Sequence, residues 1–420
     1  MDMNKELGLY YPVSNAYDKC LVSSFLKTLF AKCREKKTTP DLTITGNIAE
    51  IKNEIEALNK DNSLELSFDY LSAMETSLPD AGLRYVIINK DKTPVLFVYF
   101  QVFTLSTQNF NLEKNKGFVK GILSFFLKLK KAKVLILGNA LRTETLSYCF
   151  DARILNKEEA IAAIAGVAEK IAGDENATAV ILKDIPGATA SAEKMLTSMG
   201  YSMPWEDQVM EMAVDPEWKN LQDYTALLTR KYKTRANKVL TSAKPLVLKV
   251  LTENQVSHYL PEIKQLFAKV VDKQSFTLTS RGANNISLLK QLYKDEFDVA
   301  GFFHEDKLVA FYSAFVTGDS YELYYIGFDY QMNNEYQLYF NLLFSGLERA
   351  ILLKKKYLKL GRTSFDAKAS VGAQPKKLDY MIKMIHIPDI VVKWFASYFS
   401  SLEDTKWKLR NPLKGNEQLS

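Results

Sequence analysis

The chain has 420 residues, of which 47% are hydrophobic and 25% charged, with a formal net charge of +6. This composition excludes a disordered or fibrous protein, and the length exceeds one ordinary core, so two domains are expected. No apolar run approaches the ~20 residues a bilayer-crossing helix needs, and three cysteines (Cys20, Cys33, Cys149) without CxxC spacing exclude a disulfide framework.

The elements follow in chain order. The opening Met-Asp-Met-Asn-Lys-Glu has no apolar signal-peptide core, so a reduced, cytoplasmic location is expected. Residues 14–36 read as a helix with Phe25, Leu26, Leu29 and Phe30 on one face, ended by Thr38-Thr39-Pro40. Asn47 is placed to cap a helix over 48–60, where Ile48, Ile51, Ile55 and Leu58 keep helical spacing. Residues 1–60 are therefore read as an N-terminal helical extension. A helix follows at Ser67–Thr76, then two strands, Arg84–Asn89 and Pro94–Phe103, joined as a hairpin. Strand Val134–Gly138, helix Lys157–Ala172 and strand Ala177–Leu182 come next. A helix at Ser191–Met199 and an alternating segment, Gln208–Val214, close a first domain over 61–215.

Asp215-Pro216 opens a helical run from about Glu217 to Ser242 that Pro245 closes, read as a connector helix over 216–245. The second domain, 246–400, starts with strand Leu246–Leu251 and helices Val256–Val271 and Ile286–Phe297. A second hairpin, Val299–His304 with Lys307–Val316, turns at Glu305-Asp306. Strand Tyr321–Asp329, a helix from about Asn334 to Lys355 and strand Tyr357–Gly361 form a βαβ unit. Leu378–Ile385 reads as a last strand, Pro388–Phe399 as a short amphipathic helix, and 401–420 as a polar tail. The order hairpin, strand, helix, strand thus occurs twice, as a repeat of pattern.

The Tyr-rich strand, the helix after it, the Gly-ended strand and the run Arg362-Thr363-Ser364-Phe365-Asp366-Ala367-Lys368 together resemble the last third of a GNAT-type acyltransferase domain, in the FemAB-like and BioF-like branch. The resemblance spans most of 60–385 as a pattern of elements. It implies an α/β fold with mixed sheets, built as two tandem GNAT-like domains. It also implies transfer of an acyl group to the amine of a small molecule or peptide. The donor it implies is acetyl-CoA or another acyl-CoA, with a charged tRNA in the FemAB-type version. Leu228-Thr229-Arg230-Lys231-Tyr232-Lys233-Thr234-Arg235 resembles the basic helix before the second domain of such proteins, and suits a nucleic-acid backbone or simply a solvated face.

Acyl transfer to an amine requires a base and a group that steadies the oxyanion. Glu322 is the candidate base, with Tyr324 or Tyr325 as candidate acid; strand alternation sets Glu322 and Tyr324 on one face and Tyr325 on the other. Cross-strand aromatic packing accounts for the same residues without chemistry. Arg362, Thr363, Asp366, Lys368 and Lys376 are candidate substrate ligands, because ligands of such sheets bind beyond strand ends and Arg suits bidentate anion recognition. A surface pair between Arg362 and Asp366 is the plain alternative. Donor contact falls to the loop and first turn carrying Asn333, Asn334 and Tyr336. That loop has no glycine, and neither has 151–156, so the family's Gly-rich CoA motif is absent from both halves.

The second basic stretch, Lys114–Lys133, carries Phe118, Ile122, Phe125, Phe126 and Leu129 between lysines and suits a membrane surface or packing on its own domain. His258, His304 and His386 lie far apart, so no metal is expected. Cys149, between Tyr148 and Phe150, reads as buried and inert.

Overall fold

The structure, a computed structural model, describes residues 41–110, 132–185, 189–203, 206–279, 282–385 and 407–414. The helix expected over 14–36, the basic stretch up to 131 and the helix over 388–399 lie outside the described residues.

Two mixed seven-stranded sheets organise the chain. The first is assembled from β1 (Asp41–Thr45), β2 (Ala81–Lys90), β3 (Thr93–Leu105), β4 (Ala132–Leu137), β5 (Tyr148–Phe150), β6 (Ala179–Lys183) and, from far down the chain, a last strand described below. Helices α1 (Lys52–Leu58) and α2 (Phe68–Ser77) cover one face, and α3 (Lys157–Glu175) and α4 (Ala190–Ser198) the other. Residues 41–45, expected in the helical extension, are instead a strand antiparallel to β2. Their Leu42 and Ile44 pack on the core beneath while Thr43 and Thr45, alternating with them, favour extended backbone. Asn47 does cap its helix, accepting from the Ala49 amide, although the first turn is 3-10.

The connector is not one helix. Asn220 caps α5 (Leu221–Leu227), Leu228 and Thr229 are extended, and α6 (Arg230–Ser242) starts afresh. Leu228 is buried and bridged to Leu413, and the Thr229 amide donates to the Pro412 carbonyl, so the break is held by the segment 407–414.

The second sheet uses β7 (Gln208–Ala213), β8 (Val247–Val250), β9 (Phe297–His304), β10 (Lys307–Thr317), β11 (Ser320–Phe328), β12 (Tyr357–Gly361) and β13 (Gln374–Lys377). One face carries α7 (Glu253–His258), α8 (Leu260–Val271) and α9 (Ile286–Tyr293). The crossover from β11 to β12 runs through α10 (Tyr330–Tyr336) and α11 (Leu338–Leu352), and α12 (Phe365–Ala369) follows β12. β14 (Tyr380–Met384) then returns to the first sheet and pairs with β6.

Both sheets repeat one plan: β1-β2-β3-β4 and β8-β9-β10-β11 are antiparallel, and β6 and β12 join them in parallel through a helical crossover. This is the tandem, mixed-sheet α/β arrangement the sequence leads one to expect. Both hairpins turn on two left-handed residues, Asp91-Lys92 and Glu305-Asp306, whose positive φ suits the strand twist.

The halves exchange strands. Residues 208–214, expected to close the first domain, pair with β12 and β13 of the second sheet, and residues 378–385, expected in the second domain, complete the first sheet. Alternation marks each as a strand but carries no information on which edge it will cover. Each covers the open edge of a parallel strand that would otherwise present unpaired backbone. Of three cores, one is shared: α1, α2, β2 and β3 contribute to it from the first half, α7 to α9 and β9 to β11 from the second.

Candidate active site

The site begins where two parallel strands stop pairing. β11 and β12 are in register at Ser320–Tyr357, Tyr321–Leu358 and Glu322–Lys359, and there the ladder ends. β12 carries on beside β7, while β11 continues to Phe328 with β10 as its one strand partner among the described residues. At the mouth of this fork β11 carries a bulge, because Tyr324 and Tyr325 together oppose Ser313 of β10. The bulge corrects the expected alternation: both phenols point to the same side, with ring centroids 3.9 Å apart. Ser313 holds the bulge, its hydroxyl accepting from the Tyr325 amide at 3.2 Å.

The two phenols have different surroundings. Tyr324 packs on Phe315 and accepts weakly from Asn285 Nδ2 at 3.4 Å. The Tyr325 hydroxyl is buried without a hydrogen-bond partner, against Gly282 and Phe267. Burial raises both phenols, so both stay protonated at neutral pH.

Glu322 is not a free base. Arg142, from the first half, donates to both of its oxygens, Nη2 at 2.7 Å and Nε at 3.3 Å. The guanidinium lies 3.8 Å from the centre of the Phe315 ring and has Glu65 at 3.6 Å from Nη1. Burial works against the Arg142 charge, but the facing carboxylates outweigh it and the group stays well above its usual range. The bidentate pair engages both oxygens of the carboxylate.

The loop that brings Arg142 spans 138–147, after β4 ends at the corresponding place in the first half. Gly138 turns it sharply at φ +72, where a Cβ would sit 2.5 Å from that of Ser147. Glu144 then meets two cations of the second half, Lys359 at 3.0 Å and Lys376 at 2.6 Å. Burial raises the Glu144 carboxyl, but these lysines override it and hold it below the usual range. Sequence reasoning missed Arg142 and Glu144. The available signal was a glycine at a strand end followed by charges, the same cue that singled out Gly361-Arg362.

The expected substrate clamp is dispersed into separate braces. Arg362 pairs with Asp207, Asp366 with Arg410, and Lys376 with Glu144 and Glu211. Lys368 is buried and donates to the carbonyls of Gly361 and Arg362 at 3.1 and 2.5 Å; burial lowers it to about 7. Thr363 is exposed at φ +68, an unusual angle for a β-branched residue, and Ser364 follows at φ +53. The strained turn beside the fork is thus held by Lys368 from beneath.

The expected donor contacts are also committed. Asp329 caps α10, accepting from the Gln331 amide at 2.8 Å, and pairs with Lys269 at 2.9 Å. Asn333 accepts from the Tyr339 amide in the first turn of α11, and Tyr336 is buried against His304, 3.1 Å from Nε2. Asn334 is exposed. Cys149 sits half-buried in β5, its thiol pushed up to about 12 by burial. Among the described residues no group of three His, Cys, Asp or Glu side chains is placed to hold a metal, and no helix is long and apolar enough to cross a membrane.

No protein-family model and no curated protein matches this chain. Solved structures do. FemX is 8% identical with a TM-score of 0.48, over 85% of this chain and 100% of its own. A conserved protein of unknown function from Bacteroides thetaiotaomicron is 12% identical with a TM-score of 0.47, over 82% and 100%. A tandem GNAT protein from the clavulanic acid biosynthesis pathway is 10% identical with a TM-score of 0.46, over 83% and 100%. None of these likenesses transfers a residue role, a substrate or a partner.

Proposed function

We propose that the chain transfers an acyl group from an activated ester or thioester to an amine, at the fork of the second half. One observation carries this reading: β11 and β12 leave register after Glu322 and Lys359, and the bulge just past that point sets two protonated phenols side by side. Beyond the last rung, β11 offers backbone N–H and C=O groups with no strand partner on that side among the described residues. They suit an extended, amide-bearing donor arm laid down like an added strand, and an N–H there can steady the developing oxyanion. The amine nitrogen bonds to the acyl carbon, the thiolate or alkoxide leaves and takes the Tyr324 proton, and the proton lost by the amine returns to the Tyr324 phenolate. The test is thiol release from acetyl-CoA with a panel of primary amines. Amine-dependent release that falls at least tenfold in Tyr324→Phe supports the reading; no release and no thermal shift at millimolar acetyl-CoA counts against a CoA thioester as donor.

A second donor, an aminoacyl-tRNA, is favoured by α6. Arg230, Lys231, Lys233, Arg235 and Lys238 are all exposed and in no ion pair among the described residues. Asp329 takes the Gln331 amide at the start of α10 and Asn333 takes the Tyr339 amide at the start of α11, which leaves fewer amides for the pyrophosphate of CoA and points the same way. Charged tRNA retained at low salt, with a salt slope that shrinks by about one unit per phosphate-contacting cation removed, supports this donor. Retention unchanged in a variant with Arg230, Lys231 and Lys233 replaced by Ala counts against it.

A further inference from the structure

The last rung of the fork joins opposite charges. Glu322 and Lys359 are direct partners in the parallel ladder and face the first half, yet no ion pair joins them among the described residues. Each is taken instead by one residue of the 138–147 loop: Arg142 holds Glu322 on β11, and Glu144, two residues on, holds Lys359 on β12. The loop inserts a cation and an anion into what would otherwise be a cross-strand pair.

The loop is braced for that task from its own half. The Ala140 amide donates to Gln101, Asn139 donates to the Tyr70 hydroxyl, and Lys183 donates to the Asn139 carbonyl. The Thr145 amide approaches Asp184 at 3.4 Å, and Glu144 is held at φ +55. A non-glycine residue persists there only where its surroundings over-determine it.

We propose that Arg142 and Glu144 are positioning residues that hold the fork open from the neighbouring domain: they keep Glu322 and Lys359 apart, and so set how far β11 and β12 may zip. With both removed, Glu322 and Lys359 pair with each other and the ladder extends toward Leu323 and Leu360. This builds on the reading that the fork is the reaction site, but its test does not need activity.

Hydrogen exchange on the full chain reads the outcome, comparing amides over 323–326 with those over 299–301 in β9 as an internal reference. In Arg142→Gln with Glu144→Gln, exchange over 323–326 slows at least tenfold relative to β9. Adding Glu322→Gln and Lys359→Gln, which removes the pair that would close the fork, restores the original ratio. Glu144→Gln alone, which frees Lys359 (and Lys376 from one of its two carboxylates) and leaves Arg142 in place, slows the ratio about threefold and serves if the double variant fails to fold. Exchange over 323–326 that quickens in step with β9, or is unmoved in Glu144→Gln, overturns the proposal. Slowed exchange in a protein that never transfers an acyl group would leave the wedge standing and refute the proposed function.

Discussion

Replacing Arg142 by Met should cost far more stability than replacing Arg142 and Glu322 together. Arg142 is 4% exposed and Glu322 8%, and two hydrogen bonds join them. Removing the guanidinium alone strands a carboxylate where little water reaches it, at a cost of roughly 3–5 kcal/mol. Loss of the stack on Phe315 adds about 0.5–2 kcal/mol. Glu65 also loses a neighbour, but its side chain is 17% exposed and can turn to water, so that loss is small. Arg142→Met with Glu322→Leu removes the stranded charge and leaves two apolar side chains of similar volume. It should recover at least about 2 kcal/mol of the loss, since replacing a buried pair by packed hydrophobes is often close to neutral. The assay is urea unfolding of both single variants and the double, read as a double-mutant cycle. A cost below about 1 kcal/mol for Arg142→Met, or a double variant that loses the sum of the singles, refutes the claim that this pair is buried and mutually dependent.

Three further outcomes follow from the same geometry. Lys368, lowered to about 7 by burial against about 10.4 when unfolded, binds fewer protons in the folded state between those values, so its contribution to stability rises with pH across that window; Lys368→Met should flatten the rise in urea midpoint measured from pH 7 to 10. Gly327→Ala should destabilise by roughly 1–3 kcal/mol or more in the same assay, because a Cβ would lie 2.6 Å from the backbone of Leu266 and Phe267 and force α8 off β11. Tyr325→Phe removes a buried hydroxyl that makes no hydrogen bond, so thermal unfolding should be unchanged or slightly raised, while turnover should fall if that hydroxyl serves the substrate.

What the sequence made legible is what local pattern controls. The Asp91-Lys92 and Glu305-Asp306 turns and the β11 strand are set by alternation and turn chemistry and stand where expected, whereas the helix expected from about Asn334 to Lys355 is broken at Gln337 (φ +48) into α10 and α11. The bulge at Tyr324-Tyr325 was not legible. It depends on one residue of a neighbouring strand, Ser313, whose partner cannot be read from β11 itself. The exchange of β7 and β14 was hidden for the same reason, since an alternating segment fits any edge of its own polarity. Glu322 was found as a lone acid, but its role could not be judged, because its partner Arg142 lies 180 residues away.

The repeat invites the question of why both halves do not hold the same site. In each, the parallel pair ends while the flanking antiparallel pairs run on: after Ile136 and Ile181 in the first half, after Glu322 and Lys359 in the second. The continuations differ. β4 stops at Leu137 and turns at Gly138, and beside it Gln101 accepts from the Ala140 amide while Lys183 donates to the Asn139 carbonyl. β11 runs six residues past its last rung and spends none of them on a turn. The first fork is thereby closed, and the chain released by closing it becomes the loop that reaches the second. On this account one half carries the opening and the other gauges it. A glycine-to-alanine change at Gly138, which drives Ser147 away, should then disturb β11 amides in the other sheet before it disturbs those of β6 in its own. Exchange that rises first in β6 would mean the loop answers to its own half alone.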